Sequence, residues 1–398
     1  MLKQPAKIAC AVRASTTLAV DSLAKQMKAD GLDVISFGTG EPDFPTPANI
    51  SEAGKDAIDT NKTKYTPASG IPALKKAVCE RIFAETGIKY EPSNVVVSNG
   101  AKQVVYEALM CLCDPGDEVI ILAPYWVSYY EMVKQAGAIP VEVTAPESAG
   151  FKATAAQIKA AITDKTKALM LNNPSNPTGM LYSKKELEEI AAVCMEAGIY
   201  VIADEIYAKL VYDDNEFVSF ASISEEVKDR TIVISGVSKS YAMTGWRIGY
   251  SLANAELTKI MSNYQSHATS GPCTISQWAA LEALNGPQDT IETMRQEFEK
   301  RRNYIVERMN QIEGVSCIKP EGAFYVMMNI EKLIGKTLYG VEIKNDDDFA
   351  ELFLKTSYVA IVPCSGFGMP NYLRWSYATS MENLAKGLDR LEAFLKNA

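Results

Sequence analysis

Three short apolar runs in this sequence are each followed by side chains whose chemistry is unusual for connecting loops. Asp204, Glu205, Ile206 and Tyr207 come after residues 200–203, and Ser238 and Lys239 come after 232–235. Asn172-Asn173-Pro174-Ser175-Asn176-Pro177-Thr178-Gly179 comes after the run that starts at Ala168. Taken one at a time, these have ordinary explanations. A loop lysine is usually solvated, an aspartate after a strand is usually a helix cap, and Asn-Pro-Thr-Gly is a good turn. If the runs are neighbouring strands, however, a carboxylate, a phenol, a lysine and an amide gather at one edge of a sheet, and these are the groups a pyridinium aldehyde cofactor requires. A further run, Val95–Ser98, leads through Asn99 into a helical stretch. The free N–H groups of Gly100, Ala101 and Lys102 at that helix start, together with its dipole, are an expected anion site.

Such a gathering needs a scaffold that ends its strands along one line. Runs rich in Val and Ile recur at Val95–Ser98, 119–123, 168–172, Tyr200–Asp204, 232–235 and 248–252. Most are continuous rather than alternating, as strands covered on both faces are. Helical patterns lie between them, at 102–113 and Lys184–Ala197, the second stopped by Gly198. Strand, helix, strand in repetition implies an α/β fold, a mostly parallel sheet sandwiched by helices. Ligands of such sheets bind beyond the carboxyl ends of the strands. From about Asp289 the texture changes to a long charged helix over 292–310, a run over 316–328 and a helix over 346–356, which together suggest a smaller α/β domain. The expected division is residues 1–45 as an N-terminal arm packed on the small domain, 46–290 as a large cofactor-binding domain, and 291–398 as the small domain.

At 398 residues the chain is longer than one compact core usually is. A hydrophobic fraction of 47% beside 22% charged residues is that of an ordinary folded, soluble protein. The net charge of -9, with basic and acidic residues interspersed, argues against nucleic acid as partner. The opening Met1-Leu2-Lys3-Gln4-Pro5-Ala6-Lys7 has no apolar signal core, and no stretch reaches the roughly 20 apolar residues of a membrane helix, so a cytoplasmic location is expected. The eight cysteines form no CxxC pair and no zinc-like spacing, so buried, reduced thiols and no metal are expected.

The strand-end residues belong to longer stretches. These are Gly40-Glu41-Pro42-Asp43-Phe44, Lys64-Tyr65-Thr66-Pro67, Pro124-Tyr125-Trp126-Val127-Ser128-Tyr129, Asn176-Pro177-Thr178-Gly179, Asp204-Glu205-Ile206-Tyr207, Ser238-Lys239-Ser240-Tyr241-Ala242-Met243-Thr244-Gly245-Trp246-Arg247-Ile248-Gly249-Tyr250 and Leu373-Arg374-Trp375-Ser376-Tyr377-Ala378. In content and order they resemble the class I, fold-type I aminotransferases, most of all the bacterial branch related to aspartate aminotransferase. The resemblance implies pyridoxal 5'-phosphate bound to Lys239 as a Schiff base, with the same lysine then shuttling a proton. It implies that Asp204 faces the pyridine nitrogen, that Tyr207 and Asn176 bond the phenolic oxygen, and that Trp126 stacks on the ring. Arg247 joins Gly100, Ala101 and Lys102 at the phosphate, and Tyr65 reaches it from a partner subunit, which makes the enzyme a homodimer. Arg374, with Asn176 and the Gly40 backbone, anchors the substrate α-carboxylate, since a planar guanidinium matches a carboxylate with two parallel bonds. In one respect the sequence departs from many relatives: a phosphate-binding serine three residues before the lysine is here Gly236, and whether Ser238 takes over is left open.

For the substrate side chain, the resemblance to the bacterial branch points to Lys102, Ser15 and Thr17 as readers of a distal carboxylate. The expected reaction is therefore transfer from an L-amino acid, aspartate foremost, to 2-oxoglutarate by a ping-pong mechanism. His267, the only histidine, falls where the animal-type enzymes have a partner-subunit arginine, and an interface polar residue is an equal reading. Alternatives are a prephenate or aromatic aminotransferase, a carbon–sulfur β-lyase that shares the cofactor, and, from another class, a non-catalytic binding protein.

Overall fold

In the computed structural model, residues 4–14 and 16–397 are described. The centre is a seven-stranded sheet made of β1 (Val95–Ser98), β2 (Glu118–Ala123), β3 (Ile139–Thr144), β4 (Thr166–Asn172), β5 (Tyr200–Asp204), β6 (Thr231–Gly236) and β7 (Gly249–Leu252). Its order is β1-β7-β6-β5-β4-β2-β3. From β6 to β3 every pairing is parallel, and β7 runs antiparallel to both β1 and β6. Strands β1, β5 and β6 are buried almost throughout, as their continuous Val/Ile runs require. Helices including α2 (Ala101–Leu112) and α3 (Ala255–Ala268) pack on one face around Val104, Leu109, Ile121 and Ile232. The other face, the reverse side of the sandwich, carries the helix Lys184–Ala197 through Leu187, Ile190 and Cys194.

Strand β3 escapes the sequence reading because it lies at the edge. Its Ile139 is exposed, Pro140 removes a donor that an interior strand needs, and only Val143 is buried. Other boundaries move slightly: α2 begins at Ala101 rather than 102, and the long charged helix spans Asp289–Met309.

A smaller unit combines both ends of the chain. The antiparallel strands β8 (Tyr325–Asn329), β9 (Val362–Pro363) and β10 (Tyr372–Ser376) lie in the order β9-β10-β8. They pack with helices Asp289–Met309, Asp346–Ser357 and Met381–Lys396 around Phe298, Phe353, Trp375 and Leu388. The N-terminal segment joins this unit. Its helix α1 (Thr16–Ala29) packs through Ala24, and Ile35–Ser36 pairs in parallel with Val359–Ala360. Among the described residues no helix is long and apolar enough to cross a membrane, and no His/Cys/Asp/Glu group could hold a metal ion.

Candidate active site

The carboxyl ends of β4, β5 and β6 open into a cavity of about 380 Å³ between the two units. Glycines set how tightly its wall is built. Gly236 on β6 faces Gly249 on β7, and a Cβ at 236 would lie 2.9 Å from the Gly249 Cα and the Ile248 carbonyl oxygen. A Cβ at Gly249 would in turn come within 2.2 Å of the Ala101 amide nitrogen. Strand, strand and helix start are thus stacked at backbone contact. This is the physical reason for the absent serine: position 236 has no room for a side chain, whereas Ser238, buried two residues on, lines the cavity.

Gly100 completes the layer. At φ +85°, a conformation that favours glycine, it caps α2 and leaves space for the Arg247 guanidinium, whose Nη2 would be 2.3 Å from a Cβ there. Arg247, itself left-handed at φ 58°, donates to the carbonyls of Thr244 (2.8 Å) and Asn99 (3.2 Å). A fixed cation and the free N–H groups of a helix start therefore face one space, which suits an anion.

Lys239 stands in the turn after β6 and donates to the Gly40 carbonyl. Burial above all, then the nearby Arg374 and Arg247 cations, lower its ammonium from 10.5 to about 8, against the pull of Glu41 and Asp204. Asp204, the last residue of β5, is buried, and burial raises its carboxyl while bonds from the Tyr129 hydroxyl (2.6 Å) and the Ile206 amide (3.2 Å) oppose the rise. The loop after β4 is folded back by Asn172, whose Oδ1 accepts from the Asn176 amide (2.7 Å) and whose Nδ2 donates to the Asp204 carbonyl (2.9 Å).

Asn176 Oδ1 accepts from Arg374 Nη1 at 3.0 Å, and Arg374 Nη2 donates to the Gly38 carbonyl at 2.8 Å. Arg374 is 1% exposed, yet its Nε has no partner among the described residues. A buried guanidinium on a cavity wall that pairs with no carboxylate among the described residues is suited to receive an anion. Tyr207 bonds the hydroxyl of Tyr325 at 3.0 Å, and Tyr325 lies under the Arg374 guanidinium, 4.4 Å from ring centre to Cζ.

The cavity wall thus brings together Gly40, Ala101, Lys102, Trp126, Asn176, Asp204, Tyr207, Lys239, Arg247, Arg374 and Thr17 from the sequence-derived set, with Gly100 directly behind. Lys102 Nζ sits 4.8 Å from the Trp126 ring centre, its ammonium lowered by loss of solvent and by Arg247. Thr17 Oγ1 is buried without a partner among the described residues. Tyr65 and His267 are not part of this wall: Tyr65 is 98% exposed, and His267 is exposed near the end of α3. Ser15 lies outside the described residues. Sequence reasoning gave no role to Tyr129 or Tyr325, nor to Asp21 and Lys25 of α1, which pair at 2.7 Å at the cavity mouth.

A family model described as aminotransferase class I and II matches residues 32–391. Among curated relatives, the aspartate aminotransferase of Bacillus sp. is 49% identical over 382 residues, covering 96% of each chain. The aspartate/prephenate aminotransferase of Cereibacter sphaeroides is 48% identical over 385 residues, again covering 96% of each. Among solved structures, the aspartate aminotransferase from Rhizobium meliloti superposes with a TM-score of 0.96 at 42% identity, covering 99% of both chains. That from Thermus thermophilus with maleate gives 0.93 at 37% identity, covering 99% of this chain and 100% of that one.

Proposed function

Because the chain belongs to the class I and II aminotransferases, we propose that it moves the amino group of an L-amino acid, aspartate foremost, to 2-oxoglutarate in a ping-pong exchange. It is a pyridoxal-phosphate-dependent aminotransferase similar to the aspartate enzymes. The pocket fits that cofactor: a helix start whose Gly100 leaves room for the Arg247 guanidinium, a buried Asp204 and an amine lowered to about 8 at Lys239. Bound there, pyridoxal phosphate supplies an electrophilic carbonyl and an electron-withdrawing ring. Asp204, steadied by Tyr129, would hold its ring nitrogen, and Tyr207 with the Nδ2 of Asn176 its phenolic oxygen. Trp126 would cover the ring, and the backbone N–H groups of Gly100, Ala101 and Lys102, with Ser238 and Arg247, would hold the phosphate.

The chain's own groups then divide the work. Lys239, part neutral at pH 7, would act as nucleophile and afterwards as the base that takes a proton from the substrate α-carbon and passes it to the cofactor carbon that bore the aldehyde. The placement of Arg374 is the observation that carries the reading: a buried cation on the cavity wall, paired with no carboxylate among the described residues, suits a substrate α-carboxylate. Asn176 and Gly38 keep that guanidinium in plane meanwhile.

For the side chain, Lys102 offers a cation on the wall that Thr17 also lines, which supports a second carboxylate on the substrate. The Thermus thermophilus enzyme solved with maleate, a dicarboxylate, supports it too. Prephenate is the second substrate reading, favoured by the name of the Cereibacter relative. Tyr65, fully in solvent in the single chain, is assigned to a partner's phosphate site in a homodimer.

The test is the visible spectrum of the purified protein with aspartate added. Conversion of the bound-cofactor band supports the reading, and a band indifferent to every amino acid tried refutes it. Lys102→Ala then separates substrate classes. Loss of roughly tenfold or more with aspartate is expected against little change with a neutral amino acid, and equal losses on both refute the dicarboxylate assignment.

A further inference from the structure

Tyr207 and Tyr325 meet hydroxyl to hydroxyl at 3.0 Å, both wholly enclosed. Burial raises both phenols above their ordinary value, so both oxygens keep their protons. Neither hydroxyl has another hydrogen-bond partner among the described residues. One proton therefore lies between the two oxygens, and the other is left to point away.

The surroundings decide which. The Arg374 guanidinium lies over the Tyr325 ring at 4.4 Å, and a cation there favours negative charge on that phenol and makes its O–H the stronger donor. The same guanidinium acts on Tyr207 as well, but there the Asp204 carboxylate opposes it, whereas at Tyr325 it is the leading charge. Tyr325 thus donates, and Tyr207 accepts with its own proton free toward the cavity. The fold keeps the arrangement tight. Tyr325 opens β8, in register with Ser376 of β10, two residues from Arg374, and a Cβ on Gly40 would fall 2.7 Å from the Tyr325 oxygen. Glycine at 40 leaves the space that the hydroxyl occupies.

We propose that Tyr325 is a positioning residue that aims the Tyr207 proton at the cofactor's phenolic oxygen and strengthens that bond by donating to Tyr207. The proposal rests on the cofactor reading above. A hydroxyl that accepts one hydrogen bond becomes a better donor in the next, because the chain of bonds polarises. A stronger donor to the phenolic oxygen competes with the protonated nitrogen that joins Lys239 to the cofactor. That nitrogen then loses its proton at lower pH, which favours entry of the substrate amine.

The experiment is a pH titration of the visible band of the holoenzyme and of Tyr325→Phe. Cooperative strengthening of roughly a tenth to a third of a charge-assisted bond corresponds to an upward move of the midpoint by about 0.2–0.6 pH unit in the variant. Tyr207→Phe should move it further, and adding Tyr325→Phe to Tyr207→Phe should move it no more, because the effect runs through the Tyr207 hydroxyl. A merely structural role for Tyr325 would move the midpoint equally in both backgrounds, and that result overturns the proposal. So does a Tyr325→Phe midpoint within about 0.1 of the parent. A parent protein that shows no such band when loaded with pyridoxal phosphate overturns the cofactor reading and, with it, this inference. An unshifted band in the variant overturns this inference alone.

Discussion

Gly100→Ala would insert one methyl group where the structure has placed a guanidinium. The new Cβ would lie 2.3 Å from Arg247 Nη2, 2.7 Å from Cζ and 3.0 Å from Nη1, so the whole head group must withdraw by about 1 Å to reach ordinary contact. Its bonds to the Thr244 and Asn99 carbonyls, 2.8 and 3.2 Å long, cannot both survive that displacement. If withdrawal removes the charge-assisted contact to phosphate, the loss is about 1.5–3 kcal/mol, a weakening of pyridoxal phosphate binding by roughly ten- to over a hundredfold. The backbone strain of alanine at φ +85° is a separate effect on folding, of order 1–3 kcal/mol. Gly116→Ala separates the two. Gly116 has a similar φ of +96° but nothing within 4 Å of its Cβ position, so it should lose stability without losing cofactor. The assay is titration of cofactor-free protein with pyridoxal phosphate, read by absorbance, beside thermal melts of all three proteins. A Gly100→Ala dissociation constant within about twofold of the parent, or an equal loss in Gly116→Ala, would refute the steric argument.

Two further outcomes follow from buried titratable groups. Lys239, lowered to about 8, is neutral above that value and charged below it, so imine formation by cofactor-free protein should rise about tenfold per pH unit up to about pH 8 and then level; a rise that continues to about pH 10 refutes the lowered value. Glu107, buried against Ser98 and Gln103 at 3.0 and 2.6 Å, is raised from 4.5 to about 7 by burial, with those two bonds opposing. Its folded form binds the proton more tightly than the unfolded chain, so its contribution to stability is greatest below pH 4.5 and is lost as pH rises toward about 7. Glu107→Gln should therefore melt above the parent at pH 8 by an amount worth at most about 3 kcal/mol, with the gap closing near pH 5; a gap independent of pH sinks the assignment.

What could be read from sequence follows from how local each signal is. Strands β1 and β5 were legible to the residue because full burial writes itself as an unbroken Val/Ile run. Strand β3 was not, because an edge strand with Pro140 and an exposed Ile139 carries no such run. Asp204, Lys239 and Asn176 were legible because each stands within a few residues of a strand end, so the sheet alone brings them together. Tyr129 reaches Asp204 across 75 residues, and Tyr325 reaches Tyr207 across 118. These contacts depend on how helix and small unit dock, which no local pattern records. Tyr129 did lie inside a recognised stretch, Pro124 to Tyr129, so a signal existed without a role attached to it. The missing serine at Gly236 is the reverse case. Sequence showed the departure, and only the backbone contact with Gly249 explains it.

The N-terminal arm has a larger share in the chemistry than its position outside the sheet suggests. Its turn at Gly38, Thr39 and Gly40 accepts from Arg374 through the Gly38 carbonyl and from Lys239 through the Gly40 carbonyl, while Thr39 bonds Asp21 of α1 at 3.2 Å. The groups assigned to the substrate carboxylate and to the cofactor aldehyde thus lean on one three-residue backbone segment. Arg374 also holds Asn176 of the large unit, so a carboxylate arriving at its guanidinium would meet a side chain already tied to both units and to the arm. Lys239, once it carried the cofactor, would no longer donate to the Gly40 carbonyl, and that carbonyl belongs to the segment that steadies Arg374. The lysine and the arginine are therefore linked twice, through the backbone segment they both bond and through the direct repulsion by which Arg374 helps to lower the Lys239 ammonium.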